Sequence, residues 1–461
     1  MLQQRDVEVS GTAVGAGPGI GIAATVQGVL DQVARGAFRQ RPFAVRFWDD
    51  SVLAAAVPEP AATVVVRSPL ALSYVLRSPD ELGLGRAWIS GALDVEGDLA
   101  AALRWRSDLR TVSLSALDRL RAVVSAFRVA GTDALRRPPA VQAEAVPRGR
   151  RHSLDRDRTA VRHHYEVSSA FYRLILGPSM AYSCAYFDSP DDSLEQAQRR
   201  KFELICQKLR LKSGDRLLDV GCGWGGLIIH AAVEHGAIAV GVTVSPAQAE
   251  VALERVQRAG VGDRCTVHVA DYRELDDERF DAIASVGMYE HVGREELGRY
   301  ARKIRSLLRP GGLFLNHGIA RLAGAPDREP TFIGRFVFPD GELHPIADLL
   351  AAMHEAGLEL RDVESLREHY ALTLRRWVKN LESARAAAIR AAGPERERIW
   401  RLYMVGAATA FELGELSVFQ TLAVRGGARH GLPLNRTCLI GGERGGGSVP
   451  RSQPDVSHLA G

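Results

Sequence analysis

A glycine-rich turn in the middle of the chain constrains its fold more than any other feature. The turn reads Asp219-Val-Gly-Cys-Gly-Trp-Gly-Gly226 and follows the apolar residues Leu217 and Leu218. Glycine lets the backbone turn tightly and approach a ligand without obstruction by a Cβ atom. In open α/β sheets, ligands bind beyond the carboxyl ends of the parallel strands, where such turns lie. The turn therefore predicts an α/β fold with a ligand site beside it.

The spacing of the glycines differs from that of common phosphate-binding turns. Gly221, Gly223 and Gly225 follow the pattern G-x-G-x-G, whereas dinucleotide-binding turns follow G-x-G-x-x-G, and no segment resembles a P-loop. Asp219 precedes the first glycine, so it is placed to organise the turn or to meet a cationic amino group of a ligand. The alternative is that the turn has only a structural role.

Residues 155–430 alternate between short apolar strands and helices. Strands are predicted at 216–220, 238–242, 265–269, 282–286 and 313–316, and helices, among others, at 246–259 and 295–308. Such alternation predicts a doubly wound, mainly parallel sheet with right-handed crossovers.

The N-terminal part of the chain has a different pattern. Segments 43–48 and 63–67 are rich in branched and aromatic residues and predict strands, and helical patterns follow up to residue 130. These elements predict a smaller α+β domain. Residues 137–152 contain several prolines and arginines, which places a domain boundary near residue 150. Residues 1–36 and 441–461 are predicted to be flexible.

The net charge of +4 is unevenly distributed. Between Arg104 and Arg162 there are fourteen arginines and six acidic residues. This excess favours attraction to an anionic membrane face or to nucleic acid, and a solvated helical surface is the alternative. The five cysteines are scattered without C-x-x-C pairs, so reduced thiols and no metal site are expected. Neither a run of 18 apolar residues nor a secretory signal is visible, which predicts a cytoplasmic location.

Two further turns extend the predicted ligand site. Thr243 and Gln248, after the second strand, are placed to hydrogen-bond a ribose. Asp271, after the third strand, lies where an adenine is expected, with Tyr272 beside it. The spacing of these turns matches a class I methyltransferase, whose Rossmann-like fold binds S-adenosylmethionine. The sequence thus predicts an S-adenosylmethionine-dependent methyltransferase.

Six motifs follow one another along the chain. They are His163-His-Tyr-Glu-Val-Ser168, Met180-Ala-Tyr-Ser-Cys-Ala-Tyr-Phe187, Leu194-Glu-Gln-Ala-Gln198, Gly221-Cys-Gly-Trp-Gly-Gly226, Gly241-Val-Thr-Val-Ser-Pro-Ala-Gln248 and Ser285-Val-Gly-Met-Tyr-Glu-His-Val-Gly293. Together they resemble the cyclopropane-fatty-acyl-phospholipid and mycolic acid cyclopropane synthase family, over roughly residues 40–425. Segment 68–97 also resembles the accessory domain of the long bacterial members. The resemblance implies an accessory lipid-associated domain and linker at 37–150 and a methyltransferase domain at 151–440. Tyr182 and Ser183, in the second motif, are included among the predicted cofactor-binding residues.

The resemblance implies one-carbon transfer from S-adenosylmethionine to the double bond of an unsaturated fatty acyl chain, with phospholipid favoured as its carrier. An alkene is a weak nucleophile, so it must lie in line with the sulfonium methyl group. The transfer leaves a carbocation, which aromatic faces stabilise by about 0.5–2 kcal/mol each. Candidate aromatic residues are Tyr182, Tyr186, Tyr289 and Tyr370. Proton loss then gives a cyclopropane, or, after a hydride shift, a methylene group that a separate reductase would convert into a methyl branch.

Members of this family hold a bicarbonate ion as the base for the proton loss. Carried over to this chain, four of its ligands are Cys184, Glu290, His317 and Tyr370. The family has a cysteine at a fifth position, where this chain has Ala407, so one contact to the anion is missing. A protein carboxylate is the alternative base, with Glu412 and Glu166 as candidates. Each of these side chains also has a structural interpretation as a core residue, a helix end or a surface group.

Two other functions stay open from the sequence. The first is a small-molecule methyltransferase, because a fold does not fix a function. The second is a lipid-binding or regulatory protein with a vestigial cofactor site. Nucleic-acid binding is disfavoured, because the arginines lack interleaved aromatic residues. A phospholipid substrate implies peripheral association with the inner face of the membrane, and a homo-oligomer is left open.

Overall fold

The computed structural model describes residues 21–33, 40–105, 116–134, 136–145, 168–276, 279–322 and 331–436, together with residues 149, 151–153, 156, 157, 159 and 439. Contacts divide the chain into two compact units, Met1–Val141 and Gln142–Gly461. Most of the two segments predicted to be flexible lies outside the described residues, as does Glu166.

The first unit is a small α+β unit, as its strand and helix patterns predict. Its sheet has the order β2-β1-β3-β4, and only β1 and β3 pair in parallel. The strands are β1 (Ala44–Arg46), β2 (Val52–Leu53), β3 (Ala62–Val66) and β4 (Leu93–Gly97). The helices are α1 (Ile22–Val33), α2 (Leu70–Arg77), α3 (Glu81–Ile89), α4 (Leu99–Arg104) and α5 (Ala116–Ala130), the last followed by a 3-10 turn, Gly131–Ala134. Phe43, Phe47 and Trp105 are buried in its core.

The second unit contains a seven-stranded sheet of order β10-β11-β9-β8-β5-β6-β7. Its strands are β5 (Arg216–Val220), β6 (Ile238–Thr243), β7 (Cys265–Val269), β8 (Phe280–Val286), β9 (Leu308–Arg321), β10 (Leu358–Ser365) and β11 (Leu416–Arg425). Every neighbouring pair from β7 to β9 is parallel, and β11 runs antiparallel between β9 and β10. The strand order therefore reverses at β5, which opens a crevice beside its carboxyl end.

Helices connect these strands. They are α6 (Ser169–Leu176), α7 (Leu194–Lys208), α8 (Gly226–His235), α9 (Pro246–Arg258), α10 (Leu297–Leu307), α11 (Phe332–Phe336), α12 (Ile346–Glu355), α13 (Arg367–Ser383) and α14 (Arg385–Glu412). Short 3-10 turns lie at Tyr272–Glu274, Tyr289–His291 and Arg294–Glu296. Gly393, with φ of +84°, and Pro394 break α14 into two helical parts. No helix in the described ranges has the length and apolar character needed to cross a bilayer.

The central strands of the second unit's sheet are buried on both faces. Successive strand side chains point to opposite faces, so Leu217 packs with Ile205 and Ile228 from α7 and α8, and Leu218 packs with Ile304 and other residues of the other face. Layers of helices on both faces confirm the predicted doubly wound α/β sheet. Parallel strands buried in this way are rich in apolar residues.

The two C-terminal strands, β10 and β11, were not predicted. Strand β10 lies at the edge of the sheet, and its residues alternate between buried or partly buried and exposed positions. Because one of its faces meets solvent, its sequence LELRDVES carries four charged residues and lacks the continuous apolar run of a central strand. In the small sheet, two strands were also not predicted. They are the short strand β2, which follows the turn after β1, and strand β4.

Candidate active site

The turn between β5 and α8 has a backbone that only glycine adopts without strain. Gly221, Gly223 and Gly225 have φ values of +85°, +52° and +80°. A Cβ atom at Gly221 would lie 3.2 Å from the Met288 side chain, and one at Gly225 would lie 3.2 Å from the Ala252 Cβ. The glycines thus allow the turn to fold tightly against β8 and α9.

A cavity opens at the carboxyl ends of β5, β6, β7 and β8. Nine of the ten predicted cofactor-binding residues line it, and they are Tyr182, Ser183, Asp219, Gly221, Gly223, Thr243, Gln248, Asp271 and Tyr272. Gly225 does not line the cavity; it packs on Ala252 and precedes the first residue of α8. Sequence motifs about 90 residues apart therefore converge on one site, as the topology of a doubly wound sheet requires.

Asp219 is the acidic group of the glycine turn. Its side chain is buried, and its Oδ1 atom has no hydrogen-bond partner among the described residues. Burial raises the pKa of Asp219 to about 7, against the opposing effect of the positive charge of Lys201. A buried carboxylate oxygen without a partner is costly, so this atom is suited to a cationic or hydrogen-bonding group of a ligand.

Thr243 and Gln248 form a polar pair on one wall of the cavity. The Thr243 hydroxyl donates to Oε1 of Gln248 over 2.8 Å. Ser245 caps α9 by accepting a hydrogen bond from the backbone N–H of Gln248. The Gln248 side chain is therefore fixed by its partner and by the start of its helix, in a position to meet the hydroxyl groups of a ribose.

Asp271 also lies in the cavity wall, where Arg273 engages its carboxylate. Nε and Nη2 of Arg273 donate to the two oxygens of Asp271 over 2.8 and 2.7 Å, and Nη2 also donates to Asp157 over 3.0 Å. The ring of Tyr272 packs edge-on against Tyr300. A ligand that binds Asp271 would therefore accept or donate hydrogen bonds beside Arg273. The sequence did not indicate that Arg273 is a partner of Asp271.

Helix α7 holds the segment that carries Tyr182 and Ser183. Nε2 of Gln198 donates to the backbone carbonyl of Ser183 over 3.0 Å, and Nζ of Lys201 donates to the Ser183 hydroxyl over 2.9 Å. Gln198 and Lys201 are three residues apart, so they share one face of the helix. Gln198, the last residue of the motif Leu194-Glu-Gln-Ala-Gln198, thus holds Ser183 in its place in the cavity wall.

Glu290 is the most unusual of the predicted catalytic residues. It lies in a 3-10 turn after β8, and its Oε1 atom accepts a hydrogen bond of 2.8 Å from the backbone N–H of Ile319. Its Oε2 atom is buried without a partner in the described structure, and burial raises the pKa of Glu290 to about 7. A carboxyl with this pKa can take up and release a proton near neutral pH.

His317 lies on β9, next to the strand that precedes Glu290. Nε2 of Gln420 donates to Nδ1 of His317 over 3.1 Å, which leaves the ring proton of a neutral imidazole on Nε2. This Nε2 atom is buried and has no partner among the described residues. Burial lowers the pKa of His317 well below its ordinary value, so the ring is neutral.

An aromatic cluster lies behind Tyr182, and Tyr370 belongs to it. The rings of Trp377 and Trp400 lie 5.3 and 5.6 Å from that of Tyr182. The Tyr182 hydroxyl donates to the Tyr403 hydroxyl over 3.3 Å, and Tyr370 packs on Trp377 at 5.9 Å. Burial raises the pKa of Tyr403 to about 12, against the opposing effect of its hydrogen bond with Tyr182, and the charge of Glu290 adds a smaller increase.

Cys184 and Ala407 are two further positions of the predicted anion site. The Sγ atom of Cys184 lies 3.3 Å from the backbone carbonyl oxygen of Ala185 and 3.8 Å from that of Leu366, so its single proton has an acceptor within the protein. Burial raises the pKa of Cys184, so it is a neutral thiol. Ala407 is buried one helical turn from both Tyr403 and Phe411, so its methyl group lies on the helix face that meets the cluster.

The other candidates lie elsewhere. Glu412 is partly exposed and forms a two-pronged ion pair with Arg375, so the structure does not bring it to the cluster. Tyr186 stacks on His369 at 4.7 Å, and the Tyr289 hydroxyl donates to the carbonyl of Ile319. Of the four aromatic candidates, Tyr182 and Tyr370 therefore join the cluster.

Comparisons with known proteins agree with this architecture. The family model "Mycolic acid cyclopropane synthetase" matches residues 152–421. The chain belongs to this family. A probable fatty acid methyltransferase of Pseudomonas putida is 42% identical over 407 residues, which cover 86% of this chain and 95% of the relative.

A cyclopropane-fatty-acyl-phospholipid synthase of Escherichia coli K12 is 35% identical over 273 residues, covering 59% of this chain and 69% of the relative. Among solved structures, the mycolic acid cyclopropane synthase CmaA1 in complex with SAH and CTAB has a TM-score of 0.56 and 33% identity, covering 58% of this chain and 98% of that one.

These findings confirm the predicted class I methyltransferase fold and the dependence on S-adenosylmethionine. The described residues also fit the cofactor: three glycines leave room for a ligand to approach, and Asp219 presents a buried oxygen without a partner. These residues line the cavity at the glycine turn, so this cavity has the features that the cofactor requires.

Proposed function

We propose that this methyltransferase transfers one carbon to the double bond of an unsaturated fatty acyl chain, giving a cyclopropane or a methyl-branched chain. One observation carries the proposal: an aromatic cluster adjoins the cofactor cavity, and Glu290, next to His291 in the cavity wall, has a buried oxygen without a partner among the described residues. A weakly nucleophilic hydrocarbon needs apolar surroundings and a base that acts after methyl transfer. The names of the family and of its members, which refer to fatty acids and cyclopropanes, support this acceptor.

The chemistry divides into two steps. When bound, S-adenosylmethionine would supply an electrophilic methyl group to the π electrons of the alkene, and S-adenosylhomocysteine would be the leaving group. The new carbon–carbon bond leaves a cation on the neighbouring carbon. The faces of Tyr182, Trp377 and Trp400 lie close together beside the cofactor cavity and would stabilise this cation by about 0.5–2 kcal/mol each.

The second step removes a proton. We assign this role to Glu290, because its Oε2 atom is buried without a described partner and its pKa of about 7 suits a base. When a proton leaves the new methyl group, its bonding electrons close the three-membered ring. The residues fit bicarbonate only in part, because the proton of the Cys184 thiol already has a backbone carbonyl as its acceptor and Ala407 offers no donor. We therefore place the proton on Glu290 itself.

The experiment is a turnover assay on phospholipid vesicles. Purified chain and methyl-labelled S-adenosylmethionine are incubated with vesicles of unsaturated phospholipid, with saturated phospholipid as the control. We expect label in the unsaturated acyl chains alone, and NMR of the product distinguishes a cyclopropane from a methylene group, which a separate reductase would have to reduce. Unaltered acyl chains together with methylation of soluble amines or phenols would instead support a small-molecule methyltransferase.

We also propose that the chain associates peripherally with the cytoplasmic face of the membrane, where intact phospholipid is its substrate. Much of the arginine-rich segment 104–162 lies outside the described residues, but α5 within it is described. On α5, Leu120, Val124 and Phe127 are 59%, 41% and 49% exposed. Their spacing puts them on one helix face, and apolar faces accompanied by arginines are typical of helices that lie in a membrane interface.

The membrane proposal predicts the effect of a double substitution. Replacing Leu120 and Phe127 by serine should weaken binding to anionic phospholipid vesicles by about tenfold, because less apolar surface enters the interface. Sedimentation with vesicles measures the binding, and added salt should weaken it further. Leu253→Ser, at an exposed position of α9, is the matched control and should bind normally. Equal binding by the double variant and the control would contradict the proposal.

A further inference from the structure

Lys201 is a buried lysine in the wall of the cofactor cavity. It lies on α7, its side chain is 1% exposed, and its Nζ atom donates to the Ser183 hydroxyl over 2.9 Å. A neutral hydroxyl and the face of the Phe202 ring, whose centroid lies 4.1 Å from Nζ, compensate only part of the cost of taking an ammonium group out of water. Burial accordingly lowers the pKa of Lys201 to about 7, against the opposing effect of the negative charge of Asp219.

Asp219 is the complementary group in the same cavity. It is buried and lacks a partner for Oδ1 among the described residues, and its pKa is perturbed in the opposite direction. The charge of each group favours the charged form of the other, but the described structure shows no hydrogen bond between them. An amine and a carboxyl group thus line one ligand cavity without direct contact between them.

We propose that Lys201 and Asp219 together recognise the zwitterionic methionine end of S-adenosylmethionine. Lys201 and the Ser183 hydroxyl take the α-carboxylate, and Asp219 takes the α-ammonium group. The inference extends the cofactor site and does not depend on which molecule accepts the methyl group. Lys201 is a residue that the motifs did not single out for this site.

The hydrogen-bond directions support this arrangement. Because Nζ of Lys201 donates to Oγ of Ser183, the Ser183 hydroxyl proton points away from Lys201 and is available for an acceptor. A carboxylate is a strong acceptor, and charge-assisted hydrogen bonds are about twice as strong as neutral ones. Gln198 fixes the backbone of Ser183 through its carbonyl, so the donor is held in place before the ligand arrives.

The arrangement makes a specific demand on the ligand. A cofactor without the carboxylate would leave Lys201 buried with no anionic partner, which costs more than the loss of one ordinary hydrogen bond. The site should therefore discriminate against decarboxylated S-adenosylmethionine, which keeps the adenosine, the sulfonium and the amino group. It should not discriminate against S-adenosylhomocysteine on this basis, because that product retains both charged groups.

The test is calorimetric titration of the full-length protein with S-adenosylmethionine and with its decarboxylated form. We expect the wild type to bind the carboxylate-containing ligand about 10- to 100-fold more tightly, which is the usual range for a hydrogen-bonded charge. Lys201→Met should lose most of this preference, by weakening binding of S-adenosylmethionine while leaving the decarboxylated ligand within about threefold of the wild type. Lys212→Met, at an exposed position just after the same helix, should retain the full preference.

Two results would overturn the proposal. The first is a Lys201→Met protein that binds both ligands more weakly by the same factor, since this would show a structural role. The second is a wild type with no preference between them. If Lys201→Met does not fold, Lys201→Gln preserves a donor to Ser183 without the charge and should lose the preference as well. Binding is measured without lipid, so failure of the acyl-acceptor proposal would leave this result intact.

Discussion

Replacing Glu290 by glutamine is expected to lower one-carbon transfer to unsaturated phospholipid by about 10²- to 10⁴-fold, the usual effect of losing a general base. The amide oxygen of glutamine can still accept the hydrogen bond from the backbone N–H of Ile319. The substitution therefore removes the titrating group and keeps the shape of the turn. Calorimetric titration should show affinity for S-adenosylmethionine within about threefold of the wild type, which separates a catalytic defect from a binding defect.

The pH dependence provides a second readout of the same residue. A base must be deprotonated to act, and the pKa of Glu290 is raised to about 7. Wild-type turnover should therefore rise as the pH increases through about 7 and level off above it, while the residual activity of the glutamine variant should lack this rise. Glu359→Gln, on the exposed edge strand, is the matched control. Full activity of Glu290→Gln, or an unchanged pH profile, would assign the proton to another group.

Gly221→Ala is expected to reduce affinity for S-adenosylmethionine by at least about tenfold. Its φ of +85° is strained for alanine by roughly 1–2 kcal/mol, and the added methyl group would lie 3.2 Å from Met288 at the wall of the cavity. The turn must then either shift or displace Met288, and both changes move the cradle of the cofactor. Calorimetry measures the affinity and thermal unfolding measures the stability.

Gly260 offers a control for the strain alone. Its φ is +70°, and a Cβ atom there would meet nothing within 4 Å. Gly260→Ala should therefore lower the stability to a similar extent as Gly221→Ala but leave cofactor affinity unchanged. If both variants bound S-adenosylmethionine like the wild type, the steric argument for Gly221 would be wrong.

The strands that sequence predicted well are rich in apolar and branched residues. Strand β5 lies inside the sheet, and four of its five residues are buried. Strand β7 lies at the edge with three exposed residues, but its branched residues Thr266, Val267 and Val269 still indicate a strand. Strand β10 was missed because four charged residues interrupt its apolar pattern. The glycine turn was predictable because its positive φ values restrict the sequence to glycine.

The site was predicted less completely, because most of its contacts join residues far apart in the chain. Tyr182 and Tyr403 are 221 positions apart, and neither residue alone signals their hydrogen bond. In the sequence, Lys201 looks like any charged residue of a helix. Only the structure shows that it is buried in the wall of the cavity. Glu412 was a candidate because it lies near Ala407 in the sequence. A separation of five residues is not a whole number of helical turns, so the two side chains point in different directions, and Glu412 pairs with Arg375.

The pairing of His317 with Gln420 has a consequence for the order in which the enzyme becomes competent. Strand β11 inserts between β9 and β10, and its register places Gln420 directly opposite His317. Long-range pairings of this kind form slowly. Until β11 has paired with β9, Gln420 cannot donate to Nδ1 of His317. The tautomer of this buried histidine therefore depends on the completion of the sheet, and not on its own strand alone.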